Sequence, residues 1–236
     1  MARDRPKKLS VTADPPRNLP RISRMTHALT ILLALFLAGC SIVGDQGNIE
    51  QPPYRVVTSL AENIEVREYP ARIAVEATVK TADADAGQND AFGLLFGYIS
   101  GANQANTEIA MTAPVETSTA PQKIEMTTPV ESRYGAEGTM SMRFFLPSRF
   151  TPETAPKPTD PQVQLVFLAE ERFAVLTFSG SRSREAVLER EKELRAALAA
   201  AGILPGPEVT AFFYDPPWTL PWFRRNEVAI KLSAGG

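Results

Sequence analysis

Cysteine and histidine are almost missing from this 236-residue chain, which has one of each, Cys40 and His27. A lone thiol excludes a disulfide within the chain. Without imidazole beyond residue 27, the body of the protein has no Ser-His-Asp triad, no His-Glu-x-x-His zinc site and no imidazole acid–base. A glycine-rich phosphate loop is missing too, since "FSGSRS" lacks the spacing such a loop needs. Carboxylates are plentiful, but nothing in the sequence pairs them. The expectation is a protein that is not an enzyme.

Excess positive charge is confined to the front. Residues 1–39 hold seven Lys/Arg against two Asp/Glu, leaving 18 basic and 25 acidic residues afterwards, a balance of −7. An acidic body repels phosphate backbones, which argues against a nucleic-acid partner. The apolar fraction of 44% and charged fraction of 22% suit one globular domain with a sizeable core.

The basic front runs into "ALTILLALFLAGC", Ala28 to Cys40. This run is too short to span a bilayer as a helix, but it has the length and flanking charge of a signal-peptide core. Its end, Leu37-Ala38-Gly39-Cys40, resembles a bacterial lipobox, which makes residues 1–39 a lipoprotein signal peptide and Cys40 the lipidation site. Met25 is a second candidate start. Ser41 follows, rather than the aspartate that resembles an inner-membrane retention signal. The expected location is therefore the cell envelope, lipid-anchored at the outer membrane and facing the periplasm. Residues 40–53, polar and proline-terminated, read as a flexible tether, and the folded domain as residues 54–233.

Two segments of that domain share one grammar. "NIEVREYPARIAVEATVKT" precedes the apolar helix "DAFGLLFGYISG", and "QVQLVFLAEERFAVLTFSG" precedes "SREAVLEREKELRAALAAAG". Each reads as strand, tight turn, strand, helix. Ile73, Val75, Ala77 and Val79 alternate with Ala74, Glu76 and Thr78, the period of a half-buried strand. Phe173 to Phe178 is apolar on both faces, as in a central strand. The second helix begins after Ser183 and stops at Gly202, with Val187, Leu194, Leu198 and Ala201 on one stripe. The first, read as Asp90 to Ser100, is apolar nearly all round, so it is deeply buried or lines an apolar groove. Further strands are expected at Glu108–Val115, Ile124–Glu131, Thr139–Leu146, Glu208–Tyr214 and Glu227–Leu232. The fold class is α+β: two pseudo-repeated βα modules sharing one antiparallel sheet or open barrel.

A shorter repeat sits between them. Ile-x-Met-Thr-x-Pro-Val-Glu occurs at Ile109–Glu116 and again at Ile124–Glu131. Paired antiparallel as a hairpin, the copies set Met111 opposite Thr128 and Met126 opposite Ala113 on one apolar surface. The two thioethers then serve as adaptable core filler, as a wall for a flat apolar ligand, or as metal ligands. In "PPWTLPWFRRNEV", Trp218, Trp222 and Phe223 beside Arg224 and Arg225 either hold a planar anion or form a loop closing the core. In the loop reading the arginines pair with Glu227 or with backbone carbonyls.

Taken in order, "IAMTAPVE", "KIEMTTPV", "MRFFLPSRF", "PKPTDPQV", "FAVLTFSG" and "YDPPWTLPWFRRNEVAI" resemble the SOUL haem-binding protein family from about Tyr54 to Leu232. The resemblance implies a distorted antiparallel β-barrel with two helices. It also implies haem or another tetrapyrrole, bound in an apolar cleft near the first helix with basic side chains for the propionates, and no characteristic enzymatic activity. Where some members read Glu-Ile-Arg-His-Tyr and use that histidine as a ligand, this chain reads Glu65-Val66-Arg67-Glu68-Tyr69. The expected ligand is thus a tetrapyrrole held without histidine, or a similar flat hydrophobic molecule, carried or buffered. The expected lining is Leu94, Leu95, Tyr98, Ile99, Met111, Met126, Arg224 and Arg225. The alternative is an envelope scaffold or interaction protein that has lost the ligand.

Overall fold

The computed structural model of this chain describes residues 49–105, 121–135 and 138–233. All of them belong to the compact unit Ser41–Gly236. The strands are β1 (Arg55–Ala61), β2 (Ile64–Tyr69), β3 (Arg72–Lys80), β4 (Asn103–Gln104), β5 (Val130–Tyr134), β6 (Thr139–Phe145), β7 (Lys157–Pro158), β8 (Val163–Leu168), β9 (Glu171–Phe178), β10 (Pro205–Phe213) and β11 (Asn226–Leu232). The helices are α1 (Ala84–Ser100) and α2 (Arg184–Ala200).

Nine strands form one antiparallel sheet in the order β1-β2-β9-β11-β10-β5-β6-β3-β8, and β4 pairs with β7 apart from it. The two modules are β2-β3-α1-β5-β6 and β8-β9-α2-β10-β11. Exchanging one for the other reverses the order from β2 to β8 without disturbing it, so the internal repeat is a pseudo-two-fold between β10 and β5. The strands flanking each tight turn are not neighbours in the sheet. Instead β2 pairs with β9 and β8 pairs with β3, so each module lends its first strand to the other half. The sheet also stays open rather than closing into a barrel. Edge strand β1 carries register irregularities between Val56 and Thr58 and between Ser59 and Ala61, which bend its free edge away from further pairing.

Both helices pack on one face. Ala91, Leu95, Tyr98 and Ile99 of α1 meet Val75, Ala77, Met140, Met142 and Phe144, while Val187, Leu194 and Leu198 of α2 meet Leu176, Val228 and Ile230. Leu95, Leu194 and Leu198 are wholly buried, which stabilises the fold by about 1.5–3 kcal/mol each. The opposite face carries a third cluster around Tyr69, Phe145, Phe173, Val175 and Phe212. Val75 packs under α1 whereas Val175 lies in the opposite cluster, so the Ala-Val pair that β3 and β9 share in sequence does not mark equivalent positions of the two modules.

Local chemistry sets the helix ends. Helix α1 starts six residues before Asp90 because the Asp83 carboxylate accepts from the amides of Asp85 (2.8 Å) and Ala86 (3.2 Å). Ser183 caps α2 as expected, accepting from the Ala186 amide at 3.3 Å. Ala201 caps the other end of α2 and is exposed, off the buried stripe. Strand β10 begins earlier than Glu208, and Gly206 permits this: a Cβ there would sit 2.4 Å from the Lys231 carbonyl.

The doubled methionine motif departs most from expectation. Its first copy, with Met111, lies outside the described residues. The second copy becomes strand only at Val130, because its backbone is bonded elsewhere: the Ile124 amide donates to the Ile99 carbonyl (2.8 Å) and Thr128 to Glu50 (3.0 Å). Ile124, Thr127 and Thr128 are buried while Met126 is 40% exposed, so Met126 is not core.

Candidate functional site

Lys80 ends β3, and α1 begins at Ala84 and turns back over that strand. A groove of about 800 Å³ opens between them, within the range of small-molecule sites. Thr78, Val79 and Lys80 form one side, with Asp160, Gln162 and Val163 leading into β8; α1 supplies Asn89, Asp90, Gly93, Leu94, Gly97 and Tyr98. Gly93 and Gly97 lie one turn apart, and a Cβ added at either meets nothing within 4 Å. The glycines therefore flatten the helix surface without being required by packing, leaving a smooth wall with Leu94 between them.

The groove floor is fixed. Tyr98 donates its phenol to the Pro156 carbonyl at 2.8 Å, and burial raises its pKa well above the ordinary value. A neutral, hydrogen-bonded phenol is no ready metal ligand. Behind it, buried Asn103 donates to the carbonyls of Tyr98 and Gln122, both at 2.7 Å, and accepts from the Gln122 amide at 3.0 Å. That bracket fixes the chain leaving α1. Among the described residues the charged lining is one ammonium, Lys80, against two carboxylates, Asp90 and Asp160.

The structure brings Leu94 and Tyr98 together at the groove, with Leu95 and Ile99 directly beneath in the core. It keeps the other expected residues apart. Met126 does not line the groove, and Met111 lies outside the described residues. Arg224 donates to the carbonyls of Thr219 (2.7 Å) and Pro217 (2.9 Å), and Arg225 donates to Glu227 (2.7 and 3.1 Å). Neither arginine lines the groove. Sequence reading missed Gly93 and Gly97, Lys80 and the Asp160–Val163 corner. The detectable signal was two glycines four apart in a helix, a costly choice unless the surface must be flat.

A second cavity of about 340 Å³ lies between Pro52, Pro53, Phe145, Phe150 and Phe167. On the face away from the helices, Glu227 is completely buried and accepts from Arg67, Arg225 and Tyr214 (2.8 Å), while Glu131 accepts from Arg143 at 3.0 Å. These carboxylates are occupied by structural donors. Burial and the Glu227 charge push the Tyr69 phenol up to about 12. Among the described residues no group of three or more His, Cys, Asp or Glu converges on a point, and no helix is long and apolar enough to cross a membrane.

The lining mixes apolar Val79, Leu94, Ala102 and Val163 with polar Thr78, Asn89 and Gln162. As a fit to haem, the groove offers a smooth wall and one cation, but no imidazole, thiol or thioether among its described residues.

Residues 49–231 match the family described as SOUL heme-binding protein. The chain is 28% identical over 167 residues to heme-binding protein 2 of Mus musculus, covering 70% of this chain and 75% of the mouse protein. Among solved structures it is similar to the C-terminal domain of EcmrR, with a TM-score of 0.52 at 8% identity, covering 76% of this chain and 98% of that domain. A hydrolase from Listeria innocua aligns with a TM-score of 0.50 at 11% identity, covering 75% and 94% respectively. Likeness at such identities is likeness of fold alone.

Proposed function

The chain belongs to the SOUL heme-binding protein family, and from that premise we propose that its folded unit binds a tetrapyrrole, or another flat hydrophobic molecule, in the groove along α1. One observation carries this reading. Two helix-interior glycines, unneeded for packing, flatten the wall of the groove. When bound, haem supplies iron redox and ligand chemistry. The chain's own part is to bury the ring against Gly93, Leu94 and Gly97 and to meet one acidic substituent with Lys80. Porphyrin burial at roughly 25 cal/mol per Å² supports micromolar affinity without an iron ligand, after association costs.

In this reading the protein is an envelope lipoprotein, cut before Cys40 and acylated there, that carries or buffers its ligand and performs no catalysis. Removal of residues 1–39 takes His27 with it, so ring contact rather than iron ligation sets affinity.

The test is a pair of titrations of Ser41–Gly236, one with haem and one with metal-free protoporphyrin IX. Both should saturate at one equivalent with affinities within a few-fold of each other. Haem binding alone would refute the shape-based mode. Non-saturating rises with both would move the assignment to the scaffold reading.

A further inference from the structure

Residues Tyr214 to Arg225 connect β10 to β11 as a closed, braced loop. Its ends meet through the Tyr214 amide on the Arg225 carbonyl (3.3 Å) and the Arg225 amide on the Asp215 carboxylate (2.6 Å). Inside, Arg224 spans the loop to the carbonyls of Thr219 and Pro217, and buried Thr219 donates its amide to Pro216 at 3.1 Å. Outside, the Gly180 amide holds the Pro221 carbonyl at 2.8 Å and Arg182 holds the Asp215 carbonyl at 3.1 Å. Such loops usually turn their apolar side chains inward. Here Trp218 is 67% exposed, Trp222 65% and Phe223 47%.

Three aromatic side chains displayed on a rigid, proline-rich loop lose little conformational freedom on meeting a partner. Tryptophan, with an apolar ring and one N–H donor, favours the boundary between hydrocarbon and water. Arg182 and Arg224 donate to backbone carbonyls at the base of this loop and keep their charge beside the single Asp215 carboxylate, while Arg225 is paired with the buried carboxylate of Glu227. Positive charge behind an aromatic tip complements an anionic lipid headgroup layer.

The course of the chain supplies the remaining argument. Glu50 accepts from the Thr128 amide at 3.0 Å, and Gln51 accepts from Arg225 at 3.4 Å. Thr128 lies just before β5 and Arg225 just before β11. Because Phe213 of β10 pairs with both Val130 and Asn226, these are the same end of the sheet, the one from which the loop projects. The described chain thus begins at the loop's end of the domain. Cys40 precedes Ile49 by nine residues, a contour of about 30 Å.

We infer that the Trp218–Phe223 loop is a membrane-contact element that inserts its aromatic tip into the headgroup region of an anionic bilayer and turns this end of the domain toward the lipid. The inference stands apart from the α1 groove, because no residue of the loop lines it. It requires no acylation at Cys40. Acylation would tether the chain, whereas the loop would orient the domain.

Trp218 and Trp222 are the only tryptophans in the chain, so intrinsic indole emission reports on this loop alone. Non-acylated Ser41–Gly236 is mixed with vesicles of three parts phosphatidylcholine to one part phosphatidylglycerol. The expected result is a blue-shifted emission, shielding from acrylamide and co-sedimentation that weakens with salt. W218S/W222S should lower the partition coefficient at least tenfold at an unchanged urea midpoint. Leu204, 82% exposed at the far end of β10, is the control, and Leu204→Ser should leave partitioning unchanged. Three outcomes overturn the proposal: no partitioning, equal loss in the Leu204 variant, or an emission shift without lipid that tracks dimer formation, the dimer being lost by sedimentation in W218S/W222S. The last would make the loop a self-association surface. Porphyrin titration of the same variants separates this result from any failure of the groove.

Discussion

Arg67 on β2 reaches across strand β9 to hold Glu227 on β11, its Nη1 3.0 Å from both carboxylate oxygens. Glu227 is fully buried and also accepts from Arg225 and Tyr214. The first module's opening strand is thereby bolted to the second module's closing one. Arg67→Met would leave a buried carboxylate short of one guanidinium, and about 3–5 kcal/mol of stability should be lost. Urea unfolding of Ser41–Gly236 measures it; a loss below about 1 kcal/mol would show that Arg225 and Tyr214 suffice.

Gly93→Ala and Gly97→Ala should each raise stability by about 0.5–1 kcal/mol, since the added methyl meets nothing and the helix gains propensity. Gly97→Leu should likewise fold well but fill the groove, weakening porphyrin binding by about tenfold or more, about 1.4 kcal/mol. A variant that keeps full affinity would place the ligand elsewhere.

Among the described residues, Lys80 is the one cation lining the groove. Lys80→Glu should weaken protoporphyrin binding, and more so at low ionic strength. Arg224, bound to carbonyls in its own loop, should be replaceable by alanine without change in porphyrin affinity. The reverse pattern in paired titrations would restore Arg224 as the propionate partner.

Stability should fall steeply above pH 10. Burial first, and then the Glu227 charge, raise the Tyr69 phenol from 10 to about 12. A folded pKa above the unfolded one contributes stability that is whole below pH 10 and lost as pH rises through about 12. For Tyr69 the loss amounts to roughly 2–3 kcal/mol. Buried Tyr98 and Tyr214 are shifted the same way. Denaturation at pH 9 and pH 11.5 should show a smaller decline for Tyr69→Phe than for the parent.

Cys40→Ala should abolish incorporation of labelled fatty acid and leave the precursor uncut in a bacterial host that processes lipoproteins. Labelling that persists in this variant would refute the assignment, because the chain has no second cysteine.

The pseudo-repeat, the α+β class, the Ser183 cap and the central position of β9 were all legible in the sequence. Each depends on periodicity or on residues within a few positions of one another, which the chain encodes locally. Loop chemistry was half legible. Arg225 on Glu227 and Arg224 on carbonyls match one of the two readings of "WFRRNEV", yet the tryptophans beside them face outward.

By itself, then, the sequence determined what chemistry this protein lacks and that its domain is built twice over, since residue identity and local alternation carry both. Only the tertiary structure decided that β2 and β8 change places between the halves and that Gly93, Gly97 and Lys80 share a groove. It alone turned Trp218 and Trp222 outward. Those outcomes depend on which strand edge is free when the modules meet and on how distant segments pack. Such contacts join residues far apart in the chain, where no local pattern registers them.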